Sequence, residues 1–167
     1  TFAFLPPVAK YDDTSIMLSA DYQITPDVLA YARFAQGFKS GGYNGRANST
    51  EATEYAPETA DTYEVGLKTT LMDGRLRLNG TAFQTNYRDF QARVSGLDVD
   101  PITNLPLAVL SVINAGELQI NGAELELVAK PTPAFTLDAQ LGFLDSLYNV
   151  FRDSRFTSFA GSRSFQE

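Results

Sequence analysis

Apolar and polar residues alternate with a period of two through most of this chain, the spacing expected of strands with two unlike faces. In 15–25, Ile16, Leu18, Ala20, Tyr22 and Ile24 share one face, and Ser15, Met17, Ser19, Asp21 and Gln23 share the other. The same reading predicts strands over 28–38, 62–72, 75–94, 110–130 and 135–150. Tyr63, Val65, Leu67, Thr69 and Leu71 oppose Glu64, Gly66, Lys68 and Thr70. Ala123, Leu125 and Leu127 oppose Gly122, Glu124 and Glu126, and Leu137, Ala139 and Leu141 oppose Thr136, Asp138 and Gln140. The run 75–94 would be far longer than an ordinary soluble strand if unbroken, at about 3.3 Å per residue.

The connections alternate in length. Thr25-Pro26-Asp27, Asp73-Gly74 and Pro131-Thr132-Pro133 are tight-turn signals, and Asp-Gly supplies the positive φ that a primed hairpin turn needs. Between them lie long polar or Gly/Pro-rich segments, 39–61, 95–109 and 151–167, which read as loops. An up-and-down antiparallel meander gathers all the short turns at one end and all the long loops at the other. With one apolar and one polar face per strand, this is the pattern of an outer-membrane β-barrel, apolar outward and polar inward. A soluble β-sandwich or single sheet with its apolar face on a core has the same period and remains open from pattern alone.

Composition narrows the chemistry. With 167 residues the chain suits one domain, and 20 acidic against 13 basic residues give a formal charge of −7. That balance argues against nucleic-acid binding, which needs a basic face. Cys and His are both absent. This excludes thiolate metal sites, cysteine nucleophiles and the His-based triads and zinc sites, and with them most hydrolase mechanisms; the expectation is no catalytic residue and no metal site, with carboxylate pairs weighed below. No apolar run reaches the length of a spanning helix. The first residue is Thr1, and the expectation is a piece of a longer polypeptide.

Three stretches carry a family resemblance: YARFAQGFKSGGYNG (31–45), YAPETADTYEVGLKTTLMDGRLRLNGTAFQTNYRDFQ (55–91) and INAGELQINGAELELVAKPTPAFTLDAQLGF (113–143). In this order and spacing they resemble the barrel of TonB-dependent outer-membrane receptors, over most of 15–148. The resemblance implies an all-β, antiparallel up-and-down transmembrane β-barrel, here about six of the roughly 22 strands of a plugged transporter barrel. It implies active transport across the bacterial outer membrane of a scarce nutrient, foremost a ferric siderophore, energised through TonB. The expected partners are outer-membrane lipid, the receptor's own plug domain, the TonB complex reached through an N-terminal region, and a small-molecule ligand. No resident cofactor is implied, and iron would arrive only within the transported ligand. Neither the plug nor the TonB-contacting segment is visible, and the chain stops at Gln166-Glu167 rather than on an aromatic residue, so it resembles an interior or C-terminal part of the barrel wall.

On that resemblance Ile16, Leu18, Tyr22, Val65, Leu67, Leu125, Leu127, Leu137 and Leu141 face lipid. Asp21, Glu64, Lys68, Glu124, Glu126 and Asp138 face the lumen, toward plug or water. Lys39, Tyr43, Asn44 and Arg46, in the GFKSGGYNG segment, are the candidate ligand-binding residues of an outer loop; a bland alternative is that the glycines only shape the loop. Glu124 and Glu126 stand about 7 Å apart on one strand face, close to the window of an inverting glycosidase, but that spacing implies neither a cleft nor opposed placement. The Asn-x-Ser/Thr patterns at 48–50 and 79–81 carry no weight in a bacterial protein. The rival readings are a passive porin-like channel and a soluble all-β binding or carbohydrate-active module.

Overall fold

The computed structural model describes residues 8–44, 54–99 and 103–152. Among these, every regular element is a strand. Among the described residues no helix is long and apolar enough to cross a membrane. Six strands form one antiparallel sheet: β1 (Met17–Thr25), β2 (Val28–Lys39), β5 (Glu58–Thr69), β6 (Leu76–Arg88), β9 (Gly116–Thr132) and β10 (Phe135–Phe151), side by side in chain order. Two hairpins are set into the connections at one end. The pair β3 (Gly42–Tyr43) and β4 (Glu54–Tyr55) lies between β2 and β5, and β7 (Gln91–Val99) with β8 (Pro106–Asn114) lies between β6 and β9.

Turns at the other end are tight. Asp73 and Gly74 have φ of 54° and 81°, the two positive values a primed turn requires, and the Arg75 N–H donates to the Met72 carbonyl at 3.1 Å. Gly74 fits because a residue without Cβ enters this region at no steric cost.

Several boundaries differ from the sequence reading. The segment 39–61 is not all loop, because β5 already starts at Glu58, opposite Lys39. Its first residues are polar, so the alternation that marks the rest of the strand is missing there. The run 75–94 is broken at Asp89-Phe90, where Asp89 takes φ 52°. The run 110–130 is broken at Ala115, before Gly116 at φ 119°. The two breaks face each other across the ladder, with Phe90 N–H donating to the Gly116 carbonyl and Ala115 N–H to the Phe90 carbonyl. Much of 95–109 is hairpin rather than loop, paired from Gln91↔Asn114 to Val99↔Pro106. Pro106, a turn signal by composition, stands at the first position of its strand, where a missing N–H is tolerated. The strand over 62–72 ends at Thr69, leaving Leu71 as an isolated bridge to Leu76. Residues 153–167 lie outside the described ones.

Register fixes the faces, because side chains directly opposite one another share a side of the sheet. One transverse row reads Ala20–Ala32–Val65–Ala82–Ala123–Phe143, and the next reads Tyr22–Ala30–Leu67–Gly80–Leu125–Leu141. Nothing among the described residues covers them, and Leu125 is 43% and Leu141 71% exposed. The only buried apolar residues among those described are Ala115 and Leu118, both near the hairpin end. The sheet is therefore a single layer, with an open apolar face where a soluble fold would have its core.

The opposite face carries aromatic rings laid over glycines. A Cβ on Gly66 would overlap the Tyr31 ring, and one on Gly122 would overlap the Phe83 ring. A strand glycine offers no side chain to pack, and a neighbouring ring fills the gap. Gly80 is different: its Cβ would meet Leu125 Cδ1 at 3.8 Å, an ordinary contact. Gly80→Ala is accordingly expected to gain up to about 1 kcal/mol from lost backbone entropy in the unfolded chain. Gly122→Ala should instead lose about 1 kcal/mol, because the ring must move. Equilibrium urea unfolding of the two variants checks the opposite signs.

Candidate functional site

The polar face and the hairpin end together hold every described residue that the sequence singled out for function. On the polar face the register sets Asp21 opposite Tyr31, Tyr31 opposite Gly66, Arg33 opposite Glu64 and Lys68 opposite Asn79. It continues with Asn79 opposite Glu126, Thr81 opposite Glu124, and Asp138 opposite Val128. Asp21, Glu64, Lys68, Glu124, Glu126 and Asp138 thus share one side of one sheet. Side-chain bonds tie this surface across strands. Tyr31 and Thr81 hydroxyls bond at 2.9 Å, Asn79 Nδ2 donates to Glu126 at 2.9 Å, and Lys68 Nζ lies 5.2 Å from the centre of the Tyr31 ring. Among the described residues, no cluster of three or more Asp, Glu, His or Cys could hold a metal ion. Glu124 and Glu126 lie side by side along one strand of this face rather than across a cleft, the arrangement that opposed glycosidase carboxylates need.

At the hairpin end, side-chain amides take the place of backbone partners. Asn44 donates to the Val112 carbonyl at 2.9 Å and accepts from the Val112 N–H at 2.7 Å. Asn114 does the same for Ala56, accepting from its N–H at 2.7 Å and donating to its carbonyl at 2.9 Å, while also donating to the Asp89 carbonyl at 2.8 Å. Gln91 donates from its side chain to the Ser40 and Ala56 carbonyls, at 2.9 and 3.1 Å. The Gln91 N–H donates to buried Glu58 at 2.6 Å. The segments around β3 and β4 are thereby fastened to the β7–β8 hairpin.

Three of the four candidate ligand residues belong to this fastened end. Lys39 Nζ stands 3.9 Å from Glu58, Tyr43 pairs with Glu54 in the small hairpin, and the Asn44 amide bonds to Val112. The Lys39 pair is a weak one, since its ammonium side is mostly exposed. Arg46 lies outside the described residues. The glycines beside them have steric work to do: a Cβ on Gly41 would overlap the Tyr55 carbonyl and crowd the Tyr11 ring, and one on Gly42 would meet the Tyr55 hydroxyl at 2.6 Å.

The sequence assigns no role to Glu58, Gln91, Asn114 or Tyr11, although the first three fall within the stretches that carry the resemblance. Their bonds span tens of residues, and nothing periodic marks them. Tyr11 donates its hydroxyl to Glu54 at 2.6 Å. That bond, with lesser contributions from burial and the Glu54 charge, raises the phenol above its ordinary 10.0 to about 12. A raised value in the folded state means that the contact holds in full below the ordinary value and is lost as pH rises through about 12. Tyr11→Phe is expected to remove the most alkaline step from the tyrosinate absorbance titration. An unchanged curve would show that the bond does not form in solution.

The family model described as "TonB dependent receptor-like, beta-barrel" matches residues 4–164. The pesticin receptor of Yersinia enterocolitica is 30% identical over 132 residues, 77% of this chain and 18% of that protein. The pesticin receptor of Yersinia pestis aligns with the same identity and coverage. Among solved structures, the ferric yersiniabactin uptake receptor FyuA from Yersinia pestis superimposes with a TM-score of 0.62 at 27% identity, covering 78% of this chain and 18% of that one. The alcaligin outer-membrane receptor FauA from Bordetella pertussis gives 0.53 at 22% identity over 80% and 22%, a likeness of fold. The chain thus spans about a fifth of the length of the relatives it matches.

Proposed function

The chain belongs to the TonB-dependent receptor family, as part of its β-barrel region, and from that membership we propose that the parent protein is an outer-membrane receptor for active uptake of a ferric siderophore, energised through TonB. The observation that carries this reading is the single-layer meander with one open apolar face and one polar, cross-linked face. A soluble binding or carbohydrate-active module would have to cover rows such as Ala20–Phe143 with a second layer. A bilayer covers them without one.

On this proposal the apolar rows meet lipid, and Asp21, Glu64, Lys68, Glu124, Glu126 and Asp138 line the lumen against the plug or water. The β3–β4 and β7–β8 hairpins then stand at the outer mouth. Lys39, Tyr43 and Arg46 offer charge and hydrogen bonds to an anionic chelate, while Asn44 acts by holding the loop. Ligand capture at this mouth would precede a plug rearrangement driven by the TonB complex. Iron enters as cargo within the ligand, and the reading assigns no covalent chemistry. The siderophore class is supported by the names of the pesticin and yersiniabactin receptors.

The test is uptake of radiolabelled ferric siderophores by iron-starved cells, with and without the receptor gene and with and without TonB. Uptake of at least one chelate should require both. Flux that needs the receptor but persists without TonB would replace this reading with a porin-like channel. No receptor-dependent flux of any chelate would remove the siderophore assignment.

A further inference from the structure

The β7–β8 hairpin forms a sheet of its own, and its two outer edges are treated differently. Antiparallel pairs alternate between residues that exchange backbone bonds with each other and residues that turn theirs away. Val112, opposite Arg93, is of the second kind, because its N–H and carbonyl both go to the Asn44 side-chain amide, at 2.7 and 2.9 Å. Gln91, opposite Asn114, is too, since its N–H goes to Glu58. Counting by twos along β8, Leu110 and Ala108 turn both backbone groups outward, and Pro106 turns out a carbonyl alone. Nothing among the described residues bonds to the outward groups of Leu110 and Ala108. Proteins guard such edges with charge, with proline or by covering them. The β7 edge carries Arg93 next to the Gln91 that Glu58 caps. The β8 strand has no charged residue, and only its ends are closed, by Pro106 at one and by the Asn44 amide at the other.

We propose that the β8 edge at Ala108 and Leu110 takes up an extended polypeptide arriving from outside the cell, as an added strand. The inference rests on the outer-mouth placement proposed above and adds a polypeptide partner to it. The Asn44 amide shows the chemistry. A primary amide carries the donor and acceptor of a peptide group, and at Val112 it stands where a strand backbone would continue along Leu110 and Ala108. Each of those residues offers an N–H and a carbonyl, at a repeat of about 7 Å. Extended polypeptide answers that repeat at every second residue, whereas a small chelate has no such series of donors and acceptors. The neighbouring strands are already engaged, since β3 and β4 pair with each other and β6 and β9 are paired on both sides. Leu110 is 49% exposed, so its side chain adds apolar contact beside the backbone bonds.

The test selects binders to the full-length receptor in lipid nanodiscs from a displayed library of random peptides, each with the 9 residues of β8. A selected peptide should bind intact cells only when they carry the receptor. Methylating its backbone nitrogens one at a time should weaken binding about tenfold at every second residue, the loss of one backbone bond. On the receptor, Leu110→Pro deletes an N–H that points away from β7, a place where an edge strand accepts proline, and should also weaken binding about tenfold. Leu110→Ala keeps the backbone and should change binding far less. Selection of no peptide, a methylation profile without a period of two, or undiminished binding to the proline variant would overturn the proposal. The methylation scan uses the parent receptor, so it decides the matter even where the proline variant does not fold. Binding to purified receptor but not to intact cells would keep the added strand and overturn the outer-mouth placement, whatever the outcome of ferric siderophore uptake.

Discussion

Leu125→Arg is expected to cost the assembled barrel about 2–4 kcal/mol, the penalty for a cationic side chain on the lipid face near the midplane. Leu125 stands between Gly80 and Leu141 in a row with no charged member, and it is 43% exposed in the isolated sheet. Its neighbour along the strand, Glu124, points to the other side, opposite Thr81 and Gly142. Glu124→Arg exchanges one hydrated charge for another and should cost well under 1 kcal/mol. The full-length receptor is folded into lipid vesicles, and its unfolding midpoint in urea is compared among the parent and the two variants. Heat-modifiable migration on gels of outer-membrane fractions gives an independent measure of folded material. Equal losses would mean that both faces are wet. A greater loss at 124 would turn the sheet inside out and reverse every assignment made from its parity.

That parity was legible before any coordinates. Leu125 and Glu124 differ by one position in a strict alternation, and strand geometry sends adjacent side chains to opposite faces. Asp73-Gly74 was legible for a similarly local reason, since few residue pairs accept positive φ twice in succession. The open edge of β8 was not. Ala108 and Leu110 are unremarkable within their own strand, and only the pairing register, with the Asn44 bonds to Val112, shows which way their backbone groups turn. The hairpin β7–β8 was hidden by residues that signal turns, because a prolyl residue is equally at home at the start of a strand. At the candidate site, the sequence pointed to GFKSGGYNG as a segment but gave no hint of what its side chains would touch. Asn44 reads from sequence as a ligand group, yet its amide bonds to the Val112 backbone, 68 residues away. A bond across that separation depends on how β2, β6 and β9 are brought together, which no local pattern encodes.

Those long-range amide bonds lead to the second large effect. Asn114→Ala is expected to release the β4 segment from the β7–β8 hairpin while leaving the six-stranded sheet intact. The substitution removes three hydrogen bonds, to the Ala56 N–H and carbonyl and to the Asp89 carbonyl. The Ala56 carbonyl keeps its bond from Gln91 at 3.1 Å, so the Ala56 N–H and the Asp89 carbonyl are the groups that lose this partner outright, each at a cost of about 1–3 kcal/mol if water cannot replace it. Solvent reaches Asn114, so the loss should sit at the low end for each group. Amide hydrogen exchange should therefore speed up by at least tenfold around Ala56, the equivalent of about 1.4 kcal/mol of local stability, while Val65 and Ala82 in the sheet keep their protection. Asn114→Asp separates the two halves of the amide. It keeps the oxygen that accepts from Ala56 N–H, but sets a carboxylate against the Ala56 and Asp89 carbonyls in place of a donor. At neutral pH it should unlock the segment at least as far as alanine does, and protonation in acid should restore part of the protection as the carboxyl regains a donor. If the aspartate variant instead protects like the parent at neutral pH, the two donated bonds contribute nothing and the clasp rests on Asn44 and Gln91. If alanine frees β6 and β9 as well, the hairpin is not a separate unit, and this end of the sheet moves only when the strands beneath it do.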